Sequence, residues 1–223
     1  TPNGVVNKDE DADLDATHNW WGTPCGPGPV GPGSGANVSD NVSYSPWWGD
    51  EDGSFTVTGN STGDLVIPTD ATQAQAQGIL DCAPEGANVI FESGSYEGGY
   101  TLGTPDVTIN LNGSTIGPGS PAFTITTENV QITGPGTLDG DGDSNPAILI
   151  QAGANNFTLK DAEICDWSNG VQVEGDVESL KISGNWFHDN GNAGLLIDPG
   201  VDINGIVTIE GNLFKYNEGP GID

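Results

Sequence analysis

The sequence predicts an all-β fold: a right-handed parallel β-helix with three strands per rung, a short N-terminal capping helix and an extended N-terminal segment. Three observations support this prediction. Apolar residues lie in short β-branched clusters, the clusters recur at near-constant spacing, and Gly, Asn and Asp separate them. Glycine accounts for 35 of 223 residues but follows no Gly-X-Y period, which excludes collagen.

The repeat is clearest from Val107 onward. One file of inward positions has spacings of 23, 27, 23 and 27 residues, and its members are Ile109, Ile132, Leu159, Ile182 and Ile209. A second file comprises Ile116, Leu138, Ile164, Phe187 and Phe214, and a third runs through Phe123, Ile148, Val171, Leu195 and Ile222. Three short strands per repeat form one rung, and stacked rungs share a continuous apolar core.

A capping helix is predicted over residues 71–82, with Thr69 or Asp70 as its N-cap and Pro84 ending it. One face of this helix is apolar, and it would cover the open end of the solenoid. The predicted organisation is therefore an N-terminal segment at 1–49, a linker with the capping helix at 50–86, and β-helix rungs at 87–223.

The charge balance excludes some partners. The chain has 32 acidic residues against four lysines, no arginine, and a net charge of −28. Nucleic acid and anionic membranes are therefore not expected as partners, because binding phosphate needs cationic side chains. The acidity indicates either simple solubility of an exported protein or adaptation to high salt or calcium.

Cysteine usage and chain ends leave alternatives open. The chain has three cysteines, Cys25, Cys82 and Cys165, and no CxxC pair. They form either one disulfide and one free thiol or three free thiols. The chain starts at Thr1 without any Met, which we expect to reflect processing or excision from a longer chain. No apolar stretch is long enough for a signal peptide or a membrane span. We expect an extracellular or cell-surface location.

The stretch SLKISGNWFHDNGNAGLLI resembles the right-handed β-helix repeats of the pectate-lyase-like superfamily. The pattern AQAQGILDCAPEGANVIFESGSYEGGYTL is similar to the capping helix and first rung of its non-enzymatic surface-protein branch, and NWWGTPCGPG…NVSDNVSYSPWW resembles the module that ends such helices. That module normally comes last but here comes first. The resemblance implies a surface protein built from β-helix repeats.

Catalysis is not expected. The resemblance to enzymatic members implies a site of Asp residues with Arg or Lys, but this chain has no Arg, and Lys160, Lys181 and Lys215 lack an obvious acidic partner. Asp161, Asp166 and Asp189 are expected in solvated turns rather than as paired acid–base groups. His18 and His188 are expected to face outward.

Two acidic runs are candidate calcium sites. Asp139, Asp141 and Asp143 alternate with glycine, and Asp9, Asp11 and Asp13 alternate in a second run. Alternating carboxylates on a turn can converge on a hard cation, although neither run has a complete twelve-residue calcium loop. The competing interpretation is a polar turn. Calcium is the one candidate cofactor.

Glycans are candidate partners. Asn-X-Ser/Thr sequons occur at Asn37, Asn41, Asn60, Asn112 and Asn156. The tryptophans Trp20, Trp21, Trp47 and Trp48 could stack on sugar rings, but packing around a Pro/Gly loop is the favoured interpretation.

Assembly head to tail is the last expectation. Residues Leu14 to Trp21 align with Val207 to Phe214, so that Leu14 matches Val207, Ala16 matches Ile209 and Asn19 matches Asn212. The N-terminal segment would complete the C-terminal rung of a second copy, and the Trp pairs would seal the joint. Folding back on the same chain and excision from a tandem array are the alternatives. The functional hypotheses are an extracellular structural repeat subunit and, alternatively, a carbohydrate-binding or polysaccharide-cleaving module.

Overall fold

A computed structural model describes residues 3–9, 11–61 and 63–223 and shows an all-β solenoid with one helix among them. The N-terminal part contains β1 (Asn3–Val5), β2 (Leu14–Asp15), β3 (Gly28–Pro29), β4 (Asn37–Val38), β5 (Val42–Ser43) and β6 (Trp47–Trp48). A hairpin of β7 (Thr56–Gly59) and β8 (Asp64–Ile67) follows, and α1 (Gln73–Cys82) comes next.

The remaining strands wind around the solenoid in repeated sets of three. They are β9 (Asn88–Phe91), β10 (Ser95–Tyr96), β11 (Tyr100–Leu102), β12 (Thr108–Asn110), β13 (Thr115–Ile116), β14 (Phe123–Ile125), β15 (Gln131–Thr133), β16 (Thr137–Asp139), β17 (Ile148–Ile150), β18 (Phe157–Lys160), β19 (Glu163–Cys165), β20 (Val171–Val173), β21 (Leu180–Ser183), β22 (Trp186–His188), β23 (Leu195–Ile197), β24 (Val207–Glu210) and β25 (Leu213–Lys215).

Three long sheets form the walls. The first has the order β24-β21-β18-β15-β12-β9-β8-β7-β6, the second β10-β13-β16-β19-β22-β25, and the third β11-β14-β17-β20-β23. All pairs from β8 to the last rung are parallel, whereas β6–β7 and β7–β8 are antiparallel. The sequence prediction of three strands per rung is confirmed.

The predicted inner files are also confirmed. Ile109 pairs with Ile132, which pairs with Leu159, and the same file continues through Ile182 to Ile209. The first four of these side chains have no exposed surface, and Ile209 is half-buried because no described strand stacks on its outer side. The second file ends with Phe187 and Phe214, whose rings stack at 5.0 Å between centroids.

Turn chemistry explains how the rungs close. Gly184 and Gly211 occupy the same place in successive rungs and have φ of 69° and 66°, where a side chain is strained. Asp161, Asp166 and Asp189 have φ of 59°, 60° and 54°, because short polar side chains tolerate this region better than others. These three aspartates lie at turns, as expected.

The helix begins later than predicted. Thr72 is the N-cap, because its side chain accepts a hydrogen bond from the Gln75 amide and the Gln75 side chain accepts one from the Thr72 backbone. Thr69 and Asp70 therefore lie before the cap. The helix ends at Cys82, before Pro84, and buries Ala76, Ile79 and Leu80 against the solenoid. Its role as a cap is confirmed.

The segment from 50 to 86 is not the linker that we predicted. Strands β7 and β8 extend the first sheet beyond β9 by an antiparallel hairpin, so this segment belongs to the wall of the solenoid. The alternation of Leu65 and Ile67, both fully buried, accounts for the strand.

The N-terminal segment packs on the same chain. Cys25 and Cys82 form a disulfide with their Cα atoms 5.8 Å apart, and this bond joins the segment to α1. Cys165 is a buried free thiol, so one disulfide and one thiol are present. Packing within the chain is compatible with head-to-tail completion of another copy, which stays a prediction.

Candidate assembly interface and outer-face clusters

The C-terminal face exposes an open strand edge. The Leu180 amide donates to the Ile206 carbonyl and the Gly184 amide donates to the Glu210 carbonyl. Peptide groups of successive residues in a strand point to opposite edges, so those of Val207 and Ile209 point away from the stack. Val207 is 42% exposed, Leu213 is 53% exposed and Ile222 is 46% exposed.

A second open edge lies on β2. The Leu14 amide donates to the Asn41 carbonyl and the Ala16 amide donates to the Ser43 carbonyl, so both residues turn toward β5. The peptide groups of Asp13 and Asp15 therefore point the other way, toward solvent. Leu14 is 41% exposed although its register partner on β5, Val42, is buried. Among the described residues, β24 and β2 thus each have an edge without a partner strand.

The tryptophan pairs divide between core and surface. Trp47 is fully buried and its Nε1 donates to the Pro24 carbonyl at 2.9 Å, while Trp21 is 4% exposed. Trp21 and Trp47 are therefore covered by the core of their own chain, and a seal between copies stays a prediction for the other two tryptophans. Trp20 and Trp48 are half-buried. Packing around the Pro/Gly loop, the favoured interpretation, is confirmed for Trp21 and Trp47.

The second sheet carries a charged cluster on its outer face. His188 Nε2 lies 2.9 Å from Glu163 Oε1, and His188 Nδ1 lies 2.6 Å from Asp189 Oδ2. Burial opposes the charged ring, but the hydrogen bonds to Asp189 and Glu163 outweigh it and raise the pKa of His188. A doubly protonated imidazole can donate to both carboxylates at once, so these two contacts favour an imidazolium at His188.

Trp186 stands beside this cluster. Its ring centroid lies 4.0 Å from that of His188, and the side chain is 40% exposed. A shallow pocket next to it is lined by Thr137, Asp161, Glu163 and Trp186 among others.

The first acidic run does not gather its three aspartates. Among the described residues, the group whose ligand atoms lie within 4.8 Å of one another is Asp139, Cys165 and Asp166. Asp141 and Asp143 are outside this group. Burial raises the pKa of the Cys165 thiol to about 12, and metal binding at this trio would require the thiolate.

The second acidic run is an exposed loop. Within it, the Asp9 amide donates to Asn7 Oδ1 and the Asp11 amide donates to Asp9 Oδ1. Asp13 is exposed as well. Polar turns therefore describe both runs in the absence of an ion, and calcium stays a prediction.

The sequons differ in access. Asn41, Asn60, Asn112 and Asn156 are exposed, whereas Asn37 is half-buried in β4 between two parallel strands. The Asn156 side chain is already engaged by Asn129 and Ser179. Glycosylation stays a prediction for these positions.

One feature of the outer face was missed from the sequence. Glu163 lies 25 residues before His188, and only the register of β19 with β22 brings them together. The Asn-to-Asn hydrogen bonds along the corners, in contrast, can be anticipated from the sequence. The repeated Gly-Asn at rung spacing is the signal that locates them.

The family comparison agrees with this geometry. The family described as "Right handed beta helix region" matches residues 85–223, which is more than half of the chain. The protein belongs to this family. No curated protein and no solved structure is matched by the chain. The single helix among the described residues is too short and too polar to cross a bilayer.

Proposed function

We propose that this protein is an extracellular or cell-surface structural subunit whose copies add head to tail into a filament or layer. The observation that carries the proposal is the match between the two open edges. In the proposed contact, β2 of one copy continues the first sheet beyond β24 of the next copy.

The outward-pointing peptide groups of the two edges alternate in a way that allows them to pair. Val207 and Ile209 offer their peptide groups outward, and Asp13 and Asp15 offer theirs outward on β2. Placing Leu14 opposite Val207 lets the Val207 amide donate to the Asp13 carbonyl and the Asp15 amide donate to the Val207 carbonyl. This is the alternation that every parallel pair of the solenoid already uses. Main-chain bonds of this kind supply affinity in strand addition.

The exposed apolar side chains of the two edges also match in position. Val207 and Leu14 are exposed to almost the same extent, 42% and 41%, as expected for two ends of one interrupted column. In the same register Leu213 meets Trp20, and the outward apolar file of Trp186 and Leu213 continues. Burying these side chains stabilises the contact by about 25 cal/mol per Å² of apolar surface.

The acidic charge of both faces determines the salt conditions under which copies could associate. Both faces are acidic, since Asp9, Asp11, Asp13 and Asp15 lie near one edge and Glu210, Glu218 and Asp223 near the other. Repulsion between them weakens at high ionic strength, where the Debye length falls to about 3 Å at 1 M. The proposal therefore includes a requirement for salt, with calcium as the ion that binds such carboxylates best. The disulfide and the sequons support an extracellular site.

The test replaces one outward amide. Asp15→Pro removes the amide that the second copy would use, whereas no described group of the same chain accepts from it. Asp15→Ala is the matched control, because it removes the carboxylate and keeps the amide. Light scattering in molar salt should show growing oligomers for the wild type and Asp15→Ala but not for Asp15→Pro. A monomeric wild type, or unchanged assembly of Asp15→Pro, would refute the proposal.

Carbohydrate binding is the second candidate, favoured by the exposed Trp186 beside polar groups. An aromatic platform with carboxylates is suited to a sugar ring. Trp186→Ala should abolish any retention on immobilised polysaccharide, with the half-buried Trp48, changed to Ala, as control. Absence of retention of the wild type on a broad panel would remove this candidate.

A further inference from the structure

Stacked asparagines form a ladder at one corner of the last rungs. The Asn185 amide and its Nδ2 both donate to Asn212 Oδ1, at 2.9 and 3.0 Å. The second Nδ2 hydrogen of Asn185 reaches back to the Leu159 carbonyl at 3.1 Å. Each ladder asparagine thus presents two donors to the carbonyl oxygen of the asparagine one rung further on.

A parallel ladder repeats this geometry. Asn190 donates from its amide and Nδ2 to Asn217 Oδ1 at 3.2 and 2.9 Å. Asn185 and Asn190 are 2% and 0% exposed, so these bonds satisfy polar groups that water does not reach. The same two-donor geometry therefore occurs at two corners of the last rungs.

The ladder ends at Asn212, which has two hydrogen-bond donors without an acceptor among the described residues. The Asn212 Nδ2 reaches back to the Ile182 carbonyl at 2.8 Å, which uses one of its two hydrogens. Among the described residues, nothing accepts from the Asn212 amide or from the other Nδ2 hydrogen. Asn212 is half-buried, so the next rung would decide whether these donors are satisfied.

Asn19 has the complementary group, an acceptor oxygen without a donor among the described residues. Its Nδ2 donates to the Ala16 carbonyl at 2.8 Å and to the Thr17 carbonyl at 3.2 Å, which uses both hydrogens. Its Oδ1 accepts from no group among the described residues, and the side chain is exposed. Asn19 follows Leu14 by five residues, as Asn212 follows Val207, so the proposed contact places Asn19 on Asn212.

We infer that Asn19 of one copy extends the asparagine ladder of the next copy by accepting from the Asn212 amide and Nδ2. This inference rests on the proposed function and deepens it by naming the residue that sets the register. A slip of one residue would place His18 or Trp20 there and leave two donors unsatisfied in a closing interface. The second ladder ends at the junction, because Pro24 falls opposite Asn217.

Two substitutions separate the acceptor from the rest of the side chain. Asn19→Ala removes the acceptor, and we expect the association constant in molar salt to fall about tenfold, as loss of about 1.4 kcal/mol in hydrogen bonds predicts. Asn19→Asp keeps an acceptor oxygen and should associate within about twofold of the wild type. Gln151→Ala is the control, since it loses one amide bond to Glu174 far from both edges.

Sedimentation velocity of the four proteins gives distinct outcomes. Reduced association of Asn19→Ala alone supports the inference. If Asn19→Ala associates like the wild type, or if Asn19→Asp is as weak as Asn19→Ala, the ladder does not cross the junction, although head-to-tail assembly stands. If the wild type itself does not associate, both the inference and the proposed function fail. Equal melting temperatures exclude misfolding of the variants.

Discussion

Cys25 and Cys82 are bonded across 57 residues of sequence, which fastens the N-terminal segment to the capping helix of its own chain. The segment is therefore held on its own chain. Its outer edge on β2 has no partner strand among the described residues, so the proposed assembly would proceed by edge addition between intact subunits. Completion of the C-terminal rung of a second copy by this segment stays a prediction.

Removal of the disulfide should loosen that attachment. Closing a loop of this size is expected to contribute about 4 kcal/mol by restricting the unfolded chain. The double variant Cys25→Ser with Cys82→Ser should melt at a lower temperature, and Cys165→Ser, which removes the buried free thiol, is the control for loss of a sulfur. An unchanged melting temperature of the double variant in calorimetry would show that the bond does not form.

The inner files predict where a side chain can be shortened. Ile182 is fully buried between Leu159 and Ile209, so Ile182→Ala should lower the free energy of unfolding by about 2–5 kcal/mol. Lys181, the neighbouring residue, faces outward, and Lys181→Ala should change it by less than about 0.5 kcal/mol. Denaturant titration measures both. Equal effects would contradict the register.

The rungs were predictable because burial dictates the register of repeated strands. Ile109, Ile132 and Leu159 alternate with polar residues, and a shift of one residue would turn all of them to solvent. The hairpin of β7 and β8 was not predictable in the same way. Leu65 and Ile67 give one short alternation outside the period of the rungs, and its partner β9 lies beyond the helix.

The outer-face site was less accessible from sequence. His188 was expected to face outward, and it does, but its partner Glu163 reaches it only through the stacking of two rungs. The position of Asp139 beside Cys165 and Asp166 has the same origin. Sequence spacing identifies inward files, whereas outward contacts depend on side-chain directions that apolar periodicity leaves open.

Two glycines of the N-terminal segment should differ in their tolerance of a methyl group. Gly22 and Gly26 both have positive φ, 89° and 81°. A Cβ on Gly26 would lie 2.6 Å from the buried Trp47 ring, whereas nothing lies within 4 Å of one on Gly22. Both substitutions to Ala carry backbone strain of about 1–2 kcal/mol, so any greater loss of stability for Gly26→Ala reports the clash. Thermal melts that coincide for the two variants would contradict the packing of Trp47.

His188 should make stability depend on pH. Its pKa is raised in the folded protein, so its contribution is fully present below the ordinary value near 6.5 and is lost as the pH rises through the raised value. Glu163 and Asp189 face the ring, and Lys215 is its register neighbour on β25. The melting temperature should therefore fall as the pH rises from about 6.5 through the raised pKa of His188.

The His188→Gln variant should lack most of this fall, and His18→Gln, at an exposed site in the N-terminal segment, is the matched control that should retain it. Calorimetry across this range provides the comparison. Parallel curves for the wild type and His188→Gln would show that the imidazolium cluster does not form.

Sedimentation of the intact chain over a range of protein concentrations in low and molar salt tests head-to-tail assembly most directly. Because the two open edges match but are both acidic, the chain of 22.9 kDa should be monomeric in low salt and form an open-ended series of oligomers in molar salt, growing with concentration. Calcium should act at lower ionic strength than sodium. A single 22.9 kDa species at every concentration and salt level would contradict the account.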